Sequence, residues 1–411
     1  MRYSLHFASA ALALALSPGV AQARPMSFAE AINAAEANAP SIAARSAQTE
    51  AAQSAAIASD RLPDPQLEVG VRDYPVTGSN AGSFTRDDFT MATVGVSQEF
   101  PNPAKRRARL SRAQADIGAA QASAAVEARN VEIEAALAWI DLYFAQRKLA
   151  ALNGLDESIN DLDATVAARL ASGSARPAEA LEPKQLRAEV GDRRAELIAQ
   201  AEKSRAALAR WTGDASPDVS GAPPDWAIDP ASLQQGIDAL PALRVRDAAT
   251  AQADANVRLA QADKRPDWEV SASYGHRANF GDLVSVGVKV DLPFFTKRRQ
   301  EPLITARARE ADAARLEREA AERELRAALQ AAVADHAMHH DRSMRAREVL
   351  VPLARQRADL DRTGYAAGTV SLGIALGSAV ALAEAELDAL ERDIEVARDA
   401  IRINLTYGKD R

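Results

Sequence analysis

Val94-Gly95-Val96-Ser97-Gln98-Glu99-Phe100-Pro101, then Lys105-Arg106-Arg107, returns as Val286-Gly287-Val288-Lys289-Val290-Asp291-Leu292-Pro293, then Lys297-Arg298-Arg299. Both parts are displaced by 192 residues, from 94 to 286 and from 105 to 297. Gly173 and Gly368 form a second pair, displaced by 195, and each is followed eight residues on by a leucine, Leu181 or Leu376. A chain that repeats strand, helix, turn and helix is built from two copies of one supersecondary unit. The expected fold class is mainly α with a small β part.

Around the quoted strands the apolar residues alternate. Leu67, Val69 and Val71 oppose Glu68, Gly70 and Arg72; a loop rich in Gly, Ser and Asn follows (75–88), then a second strand over 89–100. In the later copy Trp268, Val270, Ala272 and Tyr274 oppose Glu269, Ser271 and Ser273. After a short loop, Val284, Val286, Val288, Val290 and Leu292 oppose Ser285, Gly287, Lys289 and Asp291. Such a strand either buries its apolar face in a soluble sheet or turns it to lipid in a membrane barrel. The strands are about 9–11 residues long, the length of a tilted spanning strand. Taken alone, the pattern favours the commoner soluble sheet.

Each hairpin leads into a long helical segment. Residues 103–171 contain no proline after Pro103, and at about 1.5 Å per residue they make a rod of roughly 100 Å. Its stripe includes Ile133, Leu137, Ile140 and Phe144, then Leu152, Leu155, Ile159, Leu162, Val166 and Leu170, the three-and-four spacing of a coiled-coil seam. Ser172-Gly173-Ser174 turns the chain, and a partner helix returns to about Trp211. In the second copy, 302–367 goes out with a kink expected at Pro352, Gly368-Thr369 turns, and 372–405 returns. Ser27 and Glu30 form a capping box that starts a first helix over 27–61. The predicted organisation is a leader (1–23), a first repeat (24–212, hairpin 66–100, helical hairpin 103–211), a linker (213–231) and a second repeat (232–411, a helix from Ser232 to about Arg265, hairpin 267–292, helical hairpin 302–407).

Residues 1–23 read as a secretory signal, with Arg2, an apolar core from Ala8 to Leu16, and the A-x-A site Ala21-Gln22-Ala23. No cysteine is present, which excludes disulfides, thiolate metal sites and an acylated N-terminal cysteine. After the leader, no apolar run reaches the about 18 residues of a membrane helix. Charged residues make up 26% and aromatics 5%, a balance closer to long exposed helices than to a globular enzyme core. The net charge of −7 is spread along the chain and leaves no nucleic-acid footprint. No nucleophile–base pair, phosphate-binding loop or cofactor motif is visible, so neither an enzyme nor a cofactor is expected. Four strands cannot close a barrel, and a lone pair of such rods exposes too much seam, so the chain needs copies of itself. Three chains would supply twelve strands.

The layout resembles the TolC family of outer-membrane factors over essentially the whole mature chain. Tyr365-Ala366-Ala367-Gly368-Thr369-Val370-Ser371 is similar to the family's periplasmic tip motif, with Arg169-Leu170-Ala171-Ser172-Gly173-Ser174 as the first-copy tip. Leu62-Pro63-Asp64-Pro65, Gln98-Glu99-Phe100-Pro101 and Lys105-Arg106-Arg107 look most like the branch serving heavy-metal pumps of the resistance-nodulation-division type. The resemblance implies a homotrimer whose twelve-stranded barrel sits in the outer membrane, continuous with a helical barrel that crosses the periplasm to meet an adaptor and an inner-membrane pump. It turns the apolar strand faces to lipid and makes Glu269, Ser271, Lys289 and Asp291 lumen-facing.

The resemblance also assigns candidate sites. Gly173, Gly368 and Thr369 would receive the adaptor, although a glycine there is also a plain helix C-cap. Family members close the periplasmic end with acidic residues beyond the tip glycine. Glu179 and Glu182 hold those positions in the first copy, but Ile374 and Gly377 hold them in the second. Glu179 would focus negative potential on cations; the alternative is a solvated glutamate favoured by the helix dipole. Lys105, Arg106, Arg107, Lys297, Arg298 and Arg299 stand at helix starts, where positive charge opposes the dipole and needs compensation. They are expected to contact lipid phosphates, with generic surface charge as the alternative. His336, His339 and His340 share roughly one helix side; a polar seam position is the favoured reading, with a transient metal contact as the weaker one. The resulting function is the passive exit duct of a tripartite efflux system, with heavy-metal cations as its expected substrate. The alternatives are a duct for drugs or polypeptides and, in another class, a soluble periplasmic coiled-coil adaptor.

Overall fold

A computed structural model describes residues 25–408; the predicted leader lies outside them. In chain order the elements are β1 (Pro25–Met26), α1 (Phe28–Asn38), α2 (Pro40–Ser59), β2 (Gln66–Arg72), β3 (Met91–Phe100), α3 (Pro103–Ala171), α4 (Glu182–Thr212), β4 (Asp218–Val219), α5 (Pro230–Gly236), α6 (Pro241–Ala262), β5 (Trp268–His276), β6 (Leu283–Val290), α7 (Gln300–Arg345), α8 (Val351–Ala366) and α9 (Leu372–Tyr407). The architecture is mostly helical, with a four-stranded sheet and a two-stranded parallel pair. Among the described residues no helix is long and apolar enough to cross a membrane.

The sheet is antiparallel in the order β2-β3-β5-β6, so the two hairpins join through β3 and β5. Register places Val69, Val94, Tyr274 and Val284 in one row, and Glu269 opposite Lys289 in a row on the other face. Among the described residues, β2 and β6 have no partner on their outer sides.

The rods form where the chain offers no breaker. Asn102 caps α3, its side chain accepting from the Lys105 N–H at 2.8 Å, and Pro103 takes the first position, where its missing N–H costs nothing. α3 packs against α2 and α6 along part of its length and against α4 and α9. The stripe from Leu137 to Val166 is buried; Ile133 and Leu170 are partly buried. The densest core gathers at mid-height, where Trp139 is fully buried with Phe28 edge-on at 5.5 Å and its Nε1–H donating to the Met26 carbonyl.

Several expected boundaries shift, mostly at prolines. The helix expected over 27–61 is two helices. The Ser27–Glu30 capping box starts α1, but Ala39 is extended because the ring of Pro40 disfavours an α conformation before it. The expected helix from Ser232 to Arg265 begins earlier, at Asp229, whose carboxylate caps α5, and breaks at Leu240 before Pro241. The 213–231 linker is partly structured: β4 pairs in parallel with β1, and Trp226 packs edge-on against Phe28. The second strand starts at Met91 instead of Phe89, and α7 starts at Gln300 instead of Pro302. Before Pro352 the helix loosens into a π turn over Ala346–Leu350, which absorbs the missing proline N–H.

Candidate functional site

Three regions carry the predicted site residues: the sheet, its base, and the far tips. On the sheet, Glu269, Ser271 and Lys289 share the polar face, with a Glu269–Lys289 ion pair at 3.3 Å. Asp291 lies one residue past β6 and donates its backbone N–H to Asp267 O at 3.1 Å. The opposite face carries Val69, Val284 and Val286, 72%, 74% and 74% exposed. In a soluble sheet this face would be covered.

At the base of the sheet the first basic triplet has partners within the chain. Lys105 Nζ lies 2.8 Å from Asp267 and 3.1 Å from Asp263. Burial works against its charge, but the two carboxylates outweigh that and raise its pKa. Burial likewise opposes ionisation of Asp267, yet Lys105 and the Asn102 N–H, donating at 2.7 Å, hold its pKa down. Arg106 meets Asp60 at 3.4 Å, and Arg107 bonds back to the Pro103 carbonyl. For Lys105 and Arg106, the compensation required at a helix N-terminus therefore comes from the chain's own acids. Lys297, Arg298 and Arg299 precede α7 and are exposed, with no side-chain ion pair among the described residues.

At the tips Gly173 and Gly368 take φ of +74° and +81°, the left-handed region that glycine enters without a Cβ clash. Thr369 closes the second tip, its N–H and hydroxyl both donating to the Gly364 carbonyl. The two tips are tied together. Arg169 donates to the Tyr365 carbonyl at 2.8 Å and lies over its ring at 4.6 Å, while the Tyr365 hydroxyl donates to Glu179 at 3.3 Å. Tyr365 is 1% exposed. Glu179 also accepts from the Arg176 backbone N–H, the first cause of its lowered pKa, and from the Arg176 guanidinium. Its carboxylate faces these partners within the chain; Glu182 is half-buried. Local spacing does not disclose the bonded roles of Arg169 and Tyr365 or the Asn102–Asp267 pair. The one signal for the first is that Arg169 and Tyr365 stand 196 residues apart, close to the repeat offset.

The three histidines do not converge, and no group of metal-ligating side chains occurs among the described residues. His339 turns to α9 and pairs with Asp399 at 2.7 Å. His336 is partly buried with its Nδ1 unbonded; burial lowers its pKa against the opposing charge of Asp399, the neighbouring histidines add to the lowering, and the ring of His340 is 6.3 Å away. The three rings lie along α7, with α9 engaging that of His339.

No family model matches the chain, and no curated protein matches it by sequence. Solved structures do match. CusC, studied for folding and transmembrane channel formation, superposes with a TM-score of 0.80 at 14% identity, over 93% of this chain and 92% of that one. The outer-membrane protein VceC of Vibrio cholerae gives 0.72 at 18%, over 93% and 96%. The CmeC outer-membrane channel of Campylobacter jejuni gives 0.74 at 12%, over 93% and 85%. The chain therefore has the fold of these outer-membrane channel proteins over nearly its whole length. That fold differs from the single hairpin set in β-rich domains that a soluble coiled-coil adaptor requires.

Proposed function

We propose that this chain is one third of an outer-membrane exit duct in a tripartite efflux system. Three copies close a twelve-stranded barrel with the valine face to lipid, and Glu269, Ser271, Lys289 and Asp291 to the lumen. The observation that carries this is the sheet: one exposed apolar face, one polar face, two open edges, and a helical body of roughly 100 Å beneath it. A channel-type fold shared with CusC, VceC and CmeC supports the same reading. The duct is passive, and energy comes from an inner-membrane pump of the resistance-nodulation-division type. The glycine turns at Gly173 and Gly368–Thr369 are the adaptor's contact, because a left-handed glycine turn exposes backbone for close approach.

Heavy-metal cations are the proposed cargo, supported by the resemblance of the 62–65, 98–101 and 105–107 motifs to that branch. Glu179 and Glu182 lie at the narrow end as its acidic residues. Membrane fractionation followed by bilayer recording tests the channel: the protein partitions with the outer membrane and conducts. A soluble monomer without conductance refutes it. Sensitivity of a deletion strain to Cu²⁺, Zn²⁺, Co²⁺ and Ni²⁺, against a panel of drugs, tests the cargo; sensitivity to drugs alone replaces the metal assignment.

A further inference from the structure

The sheet and its flanking helices run in the same lateral order. β2, β3, β5 and β6 pair in sequence, and α2, α3, α6 and α7 pack in sequence. At the centre of this layer one joint fastens the two halves. α3 leaves β3, α6 leads into β5, Lys105 seats between Asp263 and Asp267, and the Asn102 amide donates to the carbonyls of Ala262 and Arg265.

The chain carries a second copy of each side of that joint. Asp263-Lys264-Arg265-Pro266-Asp267, which leads into β5, has the counterpart Asp60-Arg61-Leu62-Pro63-Asp64, which leads into β2. Phe100-Pro101-Asn102-Pro103 with Lys105 has the counterpart Leu292-Pro293-Phe294-Phe295 with Lys297, at the exit of β6. Within the chain these counterparts stand at opposite edges of the sheet. Lys297 and Asp64 are exposed and have no ion-pair partner among the described residues. Phe294 and Phe295 are 78% and 69% exposed. Where the central joint sets the Asn102 amide against backbone carbonyls, the outer pieces offer Phe294 and Leu62, both apolar and exposed.

We propose that the outer pieces form the same joint between subunits: Lys297 seats against Asp64 of the partner subunit, with Phe294 over Leu62 of the partner subunit. Extending the β3–β5 register by the repeat offsets sets Val288 beside Val69 of the partner subunit, and Lys289 beside Glu68 of the partner subunit. The lateral order α2–α3–α6–α7 then continues into the next α2, whose own residues are nowhere buried in the single chain. This inference rests on the trimeric reading above and adds the side chains that select the neighbour.

The chain has no cysteine, so the D64C/K297C variant reports one contact. Three strand spacings, roughly 14 Å, separate the two edges within a chain, too far for an internal disulfide. Oxidised in native membranes, D64C/K297C should run as a reductant-sensitive covalent trimer on a denaturing gel, and each single variant as monomer. K297E should lower the trimer fraction that survives detergent at least several-fold, and D64K/K297E should restore it. Light scattering on the wild-type protein in detergent separates the two claims. A monomer there refutes the trimeric duct itself. A trimer whose D64C/K297C variant stays uncrosslinked overturns the joint alone, and returns the second basic triplet to lipid phosphates.

Discussion

At the scale of single residues, charge pairs decide what the repeats do with identical motifs. Lys105 and Lys297 occupy equivalent places in sequence, yet among the described residues acids reach Lys105 and none pairs with Lys297. Asp267→Ala leaves Asn102 and Lys105 without their partner and should destabilise the fold by about 1–3 kcal/mol, the cost of a buried group left unsatisfied; thermal melting of the purified protein measures it. The same pair gives a pH window. The pKa of Asp267 lies below its ordinary 3.8, so its contribution is present above that value and is lost as pH falls through the depressed one. The pKa of Lys105 lies above its ordinary 10.5, so its contribution is present below that value and is lost as pH rises through the raised one. The Asp267→Ala penalty should therefore stay constant across neutral pH and shrink only at either extreme, in melts run from acid to alkaline buffer. At the tips, Tyr365→Phe removes the hydroxyl that holds Glu179. It should raise the open-channel fraction in bilayer recordings without lowering the amount of assembled protein; an unchanged fraction would show that the tip contact does not restrain the duct.

At the scale of elements, the turns and the mid-height core carry the rods. Gly368 sits at φ +81°, so Gly368→Ala should cost about 1–2 kcal/mol through left-handed strain. It should also weaken adaptor pull-down beyond what that small loss of stability explains. Trp139 is fully buried where α1, α3 and the β1–β4 pair meet. Trp139→Ala should cost about 3–5 kcal/mol, seen as a lower melting temperature with unchanged conductance of whatever protein still assembles. Helix identity was legible wherever apolar spacing ran unbroken, as in α3. It was misread at Ala39–Pro40 and Leu240–Pro241, because the periodicity continues across each break while the proline ring stops the backbone.

At the scale of the whole molecule, the proposed trimer accounts for the open edges and the uncovered valine face. Two rods joined to four strands leave the lateral order of the layer unfinished at α2 and α7. Closing it by threefold repetition turns the exposed valines outward to lipid and the polar face inward, the arrangement in which every strand edge is paired. The helical tips then lie roughly 100 Å from the sheet, a distance set by the uninterrupted length of α3.

Periodicity, the duplicated strands and the glycine turns are local properties, so the amino-acid order alone determined the rods, the two-faced hairpins and the turns that reverse them. Which charges face one another is not local. Lys105 meets Asp267, Arg169 meets Tyr365 and His339 meets Asp399 across 162, 196 and 60 residues. Identical spacing in the two copies gave no means to tell a spent ammonium from a free one. Only the folded chain decided that, because desolvation and ion pairing depend on what packing brings within a few ångströms.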